Sequence, residues 1–134
     1  MEIKFKNTRL KIALKDEDNN LIGDLYLNPD NAIQRSKMIE LYHKVMNEES
    51  KLKEVEEKIK NESDDLVKGT EVVQLEKEIF EMLLNGLVDI YGEVINKLAD
   101  ATGNDLGSFI TLINGITPYY QEASNNSVNK YIGK

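Results

Sequence analysis

The sequence predicts an α+β protein that is mostly α, with an N-terminal β-hairpin, a long helix packed as an α-hairpin on a core helix, and short C-terminal helices. Two changes of pattern predict this order. Up to residue 27 apolar and polar residues alternate, which is the period of a half-buried strand. Beyond residue 28 apolar residues recur every three or four positions, as on one face of a helix. The 134 residues contain no internal repeat or low-complexity linker, so one domain, 1–134, is expected.

The predicted β-hairpin occupies residues 1–27. Alternation is clearest in 2–6, 9–14 and 21–27, and the first of these segments is expected to continue into the first strand. Between the strands the run Asp-Glu-Asp-Asn-Asn at 16–20 consists of turn-forming residues.

The same turn raises the question of a metal site. Asp16, Asp18 and Asn20 have the spacing of the first ligands in a calcium-binding loop. Leu21 stands where that loop needs glycine, and Leu27 where it needs a bidentate glutamate. A solvated turn is therefore the favoured interpretation, and no metal is predicted.

A long charged helix is predicted over 28–66. Asn28 can cap it, and Pro29 suits its first position. Glu and Lys at i, i+4 spacing dominate its surface, so the helix is expected to be solvated except for one narrow apolar stripe. The stripe follows a seven-residue repeat with three additions and consists of Met38, Leu41, Tyr42, Val45, Leu52, Val55 and Ile59.

A core helix is predicted over 70–102. A turn at 63–65 and a cap at 69–70 are expected to separate it from the long helix. Two adjacent apolar rows run along it, which is typical of a central helix. Gly86 and Gly92 within it are explained most simply by close packing against a neighbour.

Residues 105–134 are predicted to form short helices and a tail. Asp105 lies at the cap position of an amphipathic segment, which Asn-Gly at 114–115 interrupts. Thr-Pro at 117–118 repeats the cap-then-proline start of a helix. The polar stretch that follows is expected to be short or frayed.

The composition excludes several classes of protein. A formal net charge of −7 disfavours direct nucleic-acid binding. The absence of cysteine excludes disulfides and thiolate chemistry. There is neither a signal-peptide pattern nor an apolar run of about eighteen residues, so a cytoplasmic protein without membrane contact is expected.

No motif for catalysis, cofactor binding or metal binding occurs, so a non-enzymatic protein is expected. His43, the single histidine, is interpreted as a partly exposed helix residue instead of a base or ligand. Glu78 and Glu93 would form a two-acid site only if the fold brought them together. Three C-terminal tyrosines can form a recognition patch or, as is favoured here, pack at the edge of the core. They are Tyr119, Tyr120 and Tyr131.

The layout resembles the small tail assembly chaperones of siphophages and prophages of Firmicutes. The resemblance lies in the hairpin and Asn-Pro-Asp helix start within 1–31, in the core helix at 76–103, and in the Val-Asn-Lys-Tyr sequence within 127–131. It implies that the helical body binds the tape measure protein, a very long apolar helical polypeptide, and helps to recruit tail tube subunits. It also implies a place in the cytoplasm of the bacterial host.

Two functional hypotheses follow. The first is an assembly chaperone or adaptor whose apolar stripe at 38–59 is exposed for a helical partner or for self-association. The same stripe can alternatively pack on the core helix of its own chain. The second is a phage-encoded inhibitor of a host defence or nucleic-acid enzyme, in which the acids at 48–65 present phosphate-like charge to a basic groove. Four lysines interleaved among those acids weaken the second hypothesis.

Overall fold

The structure, a computed structural model, describes residues 1–60 and 65–132, without the side chains of residues 59 and 65–68. Its elements in chain order are β1 (Leu10–Lys15), β2 (Leu21–Leu27), α1 (Ala32–Ile59), α2 (Asp65–Tyr91), α3 (Val94–Thr102) and α4 (Leu106–Tyr131). The predicted fold class, mostly α with an N-terminal β-hairpin, is confirmed.

The hairpin is antiparallel, with Leu14 of β1 opposite Gly23 of β2. Asp16 closes its turn, because the Oδ1 atom accepts hydrogen bonds from the backbone N–H groups of Asp18 (2.9 Å) and Asn20 (2.8 Å). The carboxylate that resembled a calcium ligand in the sequence therefore serves the turn itself.

The predicted strand at 2–6 is wrong. These residues form neither helix nor strand, and Ile3 and Phe5 are 73% and 89% exposed. Alternation predicts a strand only where a hydrogen-bonding edge and a surface for the apolar face are both present. Among the described residues β1 pairs with β2 alone, and this pairing begins at Leu10.

The inner face of the hairpin packs on α3. Leu25 and Leu27 are fully buried, whereas Tyr26 between them is exposed. A Cβ atom on Gly23 would lie 2.8 Å from Cγ2 of Val94. The missing side chain at Gly23 is thus what allows β2 to approach α3 so closely.

Helix α1 begins later than the sequence suggested, because Asn31 and not Asn28 is its N-cap. The Asn31 side chain accepts a hydrogen bond from the Gln34 N–H at 3.0 Å. The carbonyl of Asn28 accepts one from the Asn31 N–H at 3.0 Å, which makes Pro29 the second residue of a turn. Proline suits both a turn and a first helical position, so the sequence alone does not distinguish them.

Helices α1 and α2 pack as the predicted antiparallel pair. Lys37 Nζ lies 3.1 Å from Asp89 Oδ2, and a Cβ atom on Gly86 would lie 2.7 Å from Cδ1 of Leu41. Residue numbers therefore rise along α1 as they fall along α2. Gly86 is a close-packing position, as its place in the core helix predicted.

The predicted core helix at 70–102 needs correction at its start and in its interior, whereas its end at 102 matches the end of α3. Helix α2 already begins at Asp65, so that 69–70 lie inside it and form no cap. Residues 63 and 64 of the predicted turn lie outside the described residues. Gly92 has a φ of +84° and divides the predicted helix into α2 and α3. That left-handed conformation is open to glycine and costs most other residues about 1 kcal/mol or more.

Helix α4 is continuous over Leu106–Tyr131, where short helices and a frayed tail were predicted. Asp105 caps it as expected, since its side chain accepts a hydrogen bond from the Ser108 N–H at 3.0 Å. The Asn-Gly pair at 114–115, however, does not break the helix.

Pro118 lies inside α4 and does not start a new helix. It has no N–H to donate, and the neighbouring Thr117 hydroxyl donates to the carbonyl of Ile113 at 2.6 Å. Apolar residues buried on both sides of the proline stabilise the helix through tertiary contacts that the local sequence does not reveal. They are Phe109, Leu112, Ile113, Ile116, Tyr120 and Ala123.

Helix α4 runs beside α2 in the same direction. The rings of Phe80 and Phe109 meet edge to face with centroids 5.2 Å apart, and the Tyr91 and Tyr120 hydroxyls lie 2.5 Å apart further along. The Tyr120 hydroxyl also donates to Gln34 Oε1 at 2.6 Å, which joins α4 to the first turn of α1. The core thus lies between α1, α2 and α4, with the hairpin and α3 at one side.

Candidate partner-binding groove

The apolar stripe of α1 lies in the core. Met38, Leu41 and Val45 are only 2%, 5% and 3% exposed. The expectation of an exposed stripe is therefore wrong at these three residues, because the buried row of α2 needs an apolar partner and this face of α1 supplies it. The half-buried members that pack against the core are Tyr42, Leu52 and Val55. The side chain of Ile59 lies outside the described residues.

The fold places His43 on α1 and the three tyrosines on α4, where His43 and Tyr120 line the same cavity. His43 is exposed on α1, with its ring centroid 6.1 Å from that of Tyr42. Tyr120 is 1% exposed, as favoured from the sequence, whereas Tyr119 and Tyr131 are 42% and 72% exposed. The favoured reading thus holds for one tyrosine of the three.

Glu78 and Glu93 are not brought together. Glu78 lies within α2, and Glu93 follows the end of that helix at Tyr91. At about 1.5 Å per residue, the helix between them separates them by roughly 20 Å. Both side chains are exposed, so the pair makes no two-acid site.

A groove of about 810 Å³ opens between the hairpin and helices α3 and α4. The hairpin forms one wall, and the end of α3 with the first half of α4 forms the other. Its apolar lining comes from every one of these elements: Ile12, Leu14, Ile22, Leu98, Ala101, Leu112, Ile116 and Tyr119. Of these residues only Tyr119 was a candidate from the sequence, as a member of the possible tyrosine patch.

Three serine and threonine hydroxyl groups line the groove, and each donates its hydrogen bond within its own segment of chain. Thr102 Oγ1 donates to the Leu98 carbonyl at 2.8 Å, and Thr111 Oγ1 donates to the Gly107 carbonyl at 3.0 Å. Ser108 Oγ donates to Asp105 Oδ2 at 2.9 Å. The wall formed by α3 and α4 therefore offers mainly apolar surface to an occupant.

The charged residues of the groove lie at the hairpin turn. Lys15, Asp16 and Glu17 line this end, so that acids outnumber bases there. Asp105, at the N-cap of α4, adds a further carboxylate next to the lining Ser108. The groove thus combines an apolar floor, formed by the apolar lining residues, with an acidic rim, formed by Asp16, Glu17 and Asp105.

Small residues leave the groove open. A Cβ atom added at Gly115 would meet no other atom within 4 Å, and Ala101 on α3 contributes only a methyl group. Gly115 was read in the sequence as part of a helix breaker. The structure shows that its missing side chain instead leaves space in a wall of the groove.

The sequence carries one signal that points towards this groove. Leu112, Ile116 and Tyr119 recur at helical spacing on both sides of the Asn-Gly and Thr-Pro pairs, as one face of an unbroken helix requires. Because Pro118 was interpreted as the start of a new helix, this continuous apolar face of α4 was not recognised. The facing wall depends on how the hairpin docks on α3, which no local pattern encodes.

A second, smaller cavity of about 210 Å³ lies between α1 and α4. Met38 and Tyr42 of the predicted stripe line it, together with His43. Ser124 Oγ also lines it and is buried without a hydrogen-bond partner among the described residues. This cavity has about a quarter of the volume of the groove and gives the stripe residues only a small opening to solvent.

A chain of part-buried hydrogen bonds connects α4, which lines both openings, to α1 and α2. Gln34 Oε1 accepts from the Asn28 N–H and from the Tyr120 hydroxyl, each at 2.6 Å. Because Tyr120 donates to Gln34, the Tyr91 hydroxyl must donate to Tyr120. Burial raises the pKa of Tyr120 to about 12 and raises that of Tyr91 further. The network therefore joins the end of β2 to α1, α2 and α4.

Comparison with protein families, characterised proteins and solved structures gives no match. Among the described residues no helix has both the length and the apolar character needed to cross a membrane. In the same part of the chain no three His, Asp or Glu side chains gather as metal ligands would. The groove is accordingly interpreted from its own geometry.

Proposed function

We propose that this chain is a non-enzymatic assembly chaperone or adaptor that binds an apolar helix of another protein in the groove between the hairpin and α4. The observation that carries the proposal is the groove itself, with its large volume and apolar floor. From the resemblance to tail assembly chaperones, the partner that we propose is the tape measure protein. The chain would also help to recruit tail tube subunits in the cytoplasm of a bacterial host.

The size of the groove fits one face of a helix. Ligand pockets of roughly 300–1,000 Å³ hold a few large side chains, and the groove of about 810 Å³ is in this range. A whole helix about 10 Å wide would not be enclosed, but apolar residues at i, i+3 and i+7 along one face would reach the floor. The partner would thus lie across the groove with its polar face in water.

The charge of the chain suits a chaperone of apolar polypeptides. A protein that covers an apolar helix must itself stay dispersed, and net charge far from zero favours this. The chain carries −7, and its exposed acids lie mainly on the helices. The complex would therefore remain soluble where the free partner aggregates.

Co-expression with helical fragments of a tape measure protein tests the proposal. In Gly115→Trp the new Cβ meets nothing within 4 Å, and because Gly115 lines the groove, the indole is expected to fill part of it. The matched control is Gly69→Trp, because a Cβ at this α2 position also meets nothing within 4 Å and Gly69 does not line the groove.

The wild-type chain and the Gly69→Trp variant should keep the fragment soluble and co-purify with it, and the Gly115→Trp variant should lose both properties. The proposal fails if all three proteins behave alike. It also fails if no fragment co-purifies with the wild-type chain.

The alternative, an acidic inhibitor, would use α1 beyond Asn47. There Lys51 Nζ lies 2.9 Å from Glu48 Oε1, and this pairing removes part of the charge that phosphate mimicry needs. Salt-sensitive binding of a basic protein that is equal in wild type and Gly115→Trp would favour the alternative.

A further inference from the structure

Residues 1–9, here called the arm, are exposed for most of their length. Ile3 and Phe5 are 73% and 89% exposed. In an extended chain these two side chains project from one face, and Lys4 and Lys6 project from the other. The arm thus offers an apolar edge that is left uncovered by the described part of its own chain.

The arm has the opposite charge to the rest of the chain. It holds three of the 17 basic residues and one of the 24 acidic residues, so it carries +2 while positions 10–134 carry −9. The rim of the groove contributes Asp16 and Glu17 beside Lys15, with Asp105 nearby. In both charge and apolar character the arm is complementary to the groove.

We propose that the arm of one copy of this chain binds in the groove of a second copy, and reciprocally, to form an arm-exchanged dimer. Ile3 and Phe5 face the apolar floor, while Lys4 and Lys6 reach the acidic rim. In a two-fold dimer each contact occurs twice, which doubles the apolar surface removed from water. This inference does not depend on whether the groove also binds a foreign helix.

The attachment of the arm favours exchange over docking in its own groove. Thr8 Oγ1 donates to Asn28 Oδ1 at 3.0 Å, and the Arg9 guanidinium lies 5.5 Å from the centre of the Tyr26 ring. These contacts hold the arm at the end of the hairpin opposite to the turn that carries Asp16. The arm would have to fold back along β1 to reach the acidic rim of its own chain.

Pairing of the arm with the free edge of β1 is less favourable than binding in the groove. Lys11 and Lys15 lie along that strand and are exposed. An added strand would set Lys4 and Lys6 close to them, and like charges on neighbouring strands are destabilising.

Sedimentation equilibrium at chain concentrations from about 1 to about 100 µM measures the dimer. The full-length wild-type chain should dimerise, and Ile3→Ser with Phe5→Ser should raise the dimer Kd by more than about tenfold, since two large apolar side chains leave the interface. The control is Ile33→Ser with Val73→Ser, at two residues of α1 and α2 that are 71% and 61% exposed. This control should keep the wild-type Kd.

Disulfide trapping locates the contact, because the chain has no cysteine of its own. A Glu2→Cys variant mixed with a Thr111→Cys variant should form the mixed disulfide at least about tenfold faster than with Gly69→Cys, because only Thr111 lines the groove. A chain carrying both Glu2→Cys and Thr111→Cys should give a covalent dimer.

Three results would overturn the inference. A wild-type chain that is monomeric throughout the concentration range excludes exchange. A dimer that is unchanged by the Ile3 and Phe5 substitutions excludes the arm as its interface. A disulfide closed within single, doubly substituted chains would show that the arm occupies its own groove.

Discussion

A double-mutant cycle between Leu41 and Gly86 tests the packing of α1 on α2. In Gly86→Ala the new methyl carbon would lie 2.7 Å from Cδ1 and 3.1 Å from Cδ2 of Leu41. Carbon atoms in contact prefer about 3.5–4.0 Å, and overpacking of a core costs roughly 1–3 kcal/mol. Alanine gains about 1 kcal/mol over glycine inside a helix. We therefore expect Gly86→Ala to lower the free energy of unfolding by about 0–2 kcal/mol.

The second single variant of the cycle is Leu41→Ala. Leu41 is 5% exposed, so its truncation should cost about 2–5 kcal/mol. In the double variant the shortened side chain makes room for the new methyl group. Gly86→Ala should then become stabilising, and the coupling between the two sites should reach about 1–3 kcal/mol.

Urea unfolding of the four proteins, followed by circular dichroism, gives the coupling. Gly69→Ala serves as the control, because a Cβ there meets nothing within 4 Å. It should stabilise the chain by about 1 kcal/mol with either residue at position 41. Effects at Leu41 and Gly86 that add within about 0.5 kcal/mol would refute the contact between the two helices.

Two further predictions concern the same core. Val45→Asp with Leu52→Asp should unfold the chain cooperatively, since Val45 is 3% exposed and a buried unpaired carboxylate costs several kcal/mol; a folded circular dichroism spectrum would contradict this. Burial raises the pKa values of Tyr91 and Tyr120 above the value near 10 that tyrosine has in the unfolded chain. Above about pH 10 the unfolded chain therefore loses these protons first, and the free energy of unfolding should fall by up to about 1.4 kcal/mol per pH unit for each tyrosine. Urea midpoints at about pH 9 and 11 measure this fall, which should be smaller in Tyr91→Phe.

The order of the elements was predictable because each has a strong local signal. The alternation at 21–27 matches the buried Leu25 and Leu27, and the cap at Asp105 matches the observed start of α4. These signals arise from side-chain direction and from backbone hydrogen bonds within a few residues. Local chemistry of this kind acts in the same way in almost any fold.

The errors arise where tertiary contacts override local preference. Pro118 reads as a helix start, but burial of Ile116 and Tyr120 on both sides of it keeps α4 continuous. The segment 2–6 has the pattern of a strand but pairs with no other strand among the described residues. In both cases the local pattern is genuine, and a contact distant in sequence, or its absence, decides the outcome.

The stripe of α1 was expected to be exposed, and this expectation failed for a related reason. A narrow apolar stripe on a charged helix, such as Met38 to Val45, can face a partner or its own core with the same sequence. The choice depends on whether α2 covers the stripe. The close contact of Gly86 with α1 shows that it does, but this contact is visible only in the folded structure. The groove joins four elements, so no single segment could reveal it.

Amide hydrogen exchange of the chain, with and without a bound tape measure fragment, tests the central claim most directly. The groove account predicts slower exchange in 12–15, 98–102 and 111–119, which hold most of its lining. The segment of α1 from 47 to 58 should be unchanged. Protection confined to that part of α1, with no change along the groove, would contradict the account.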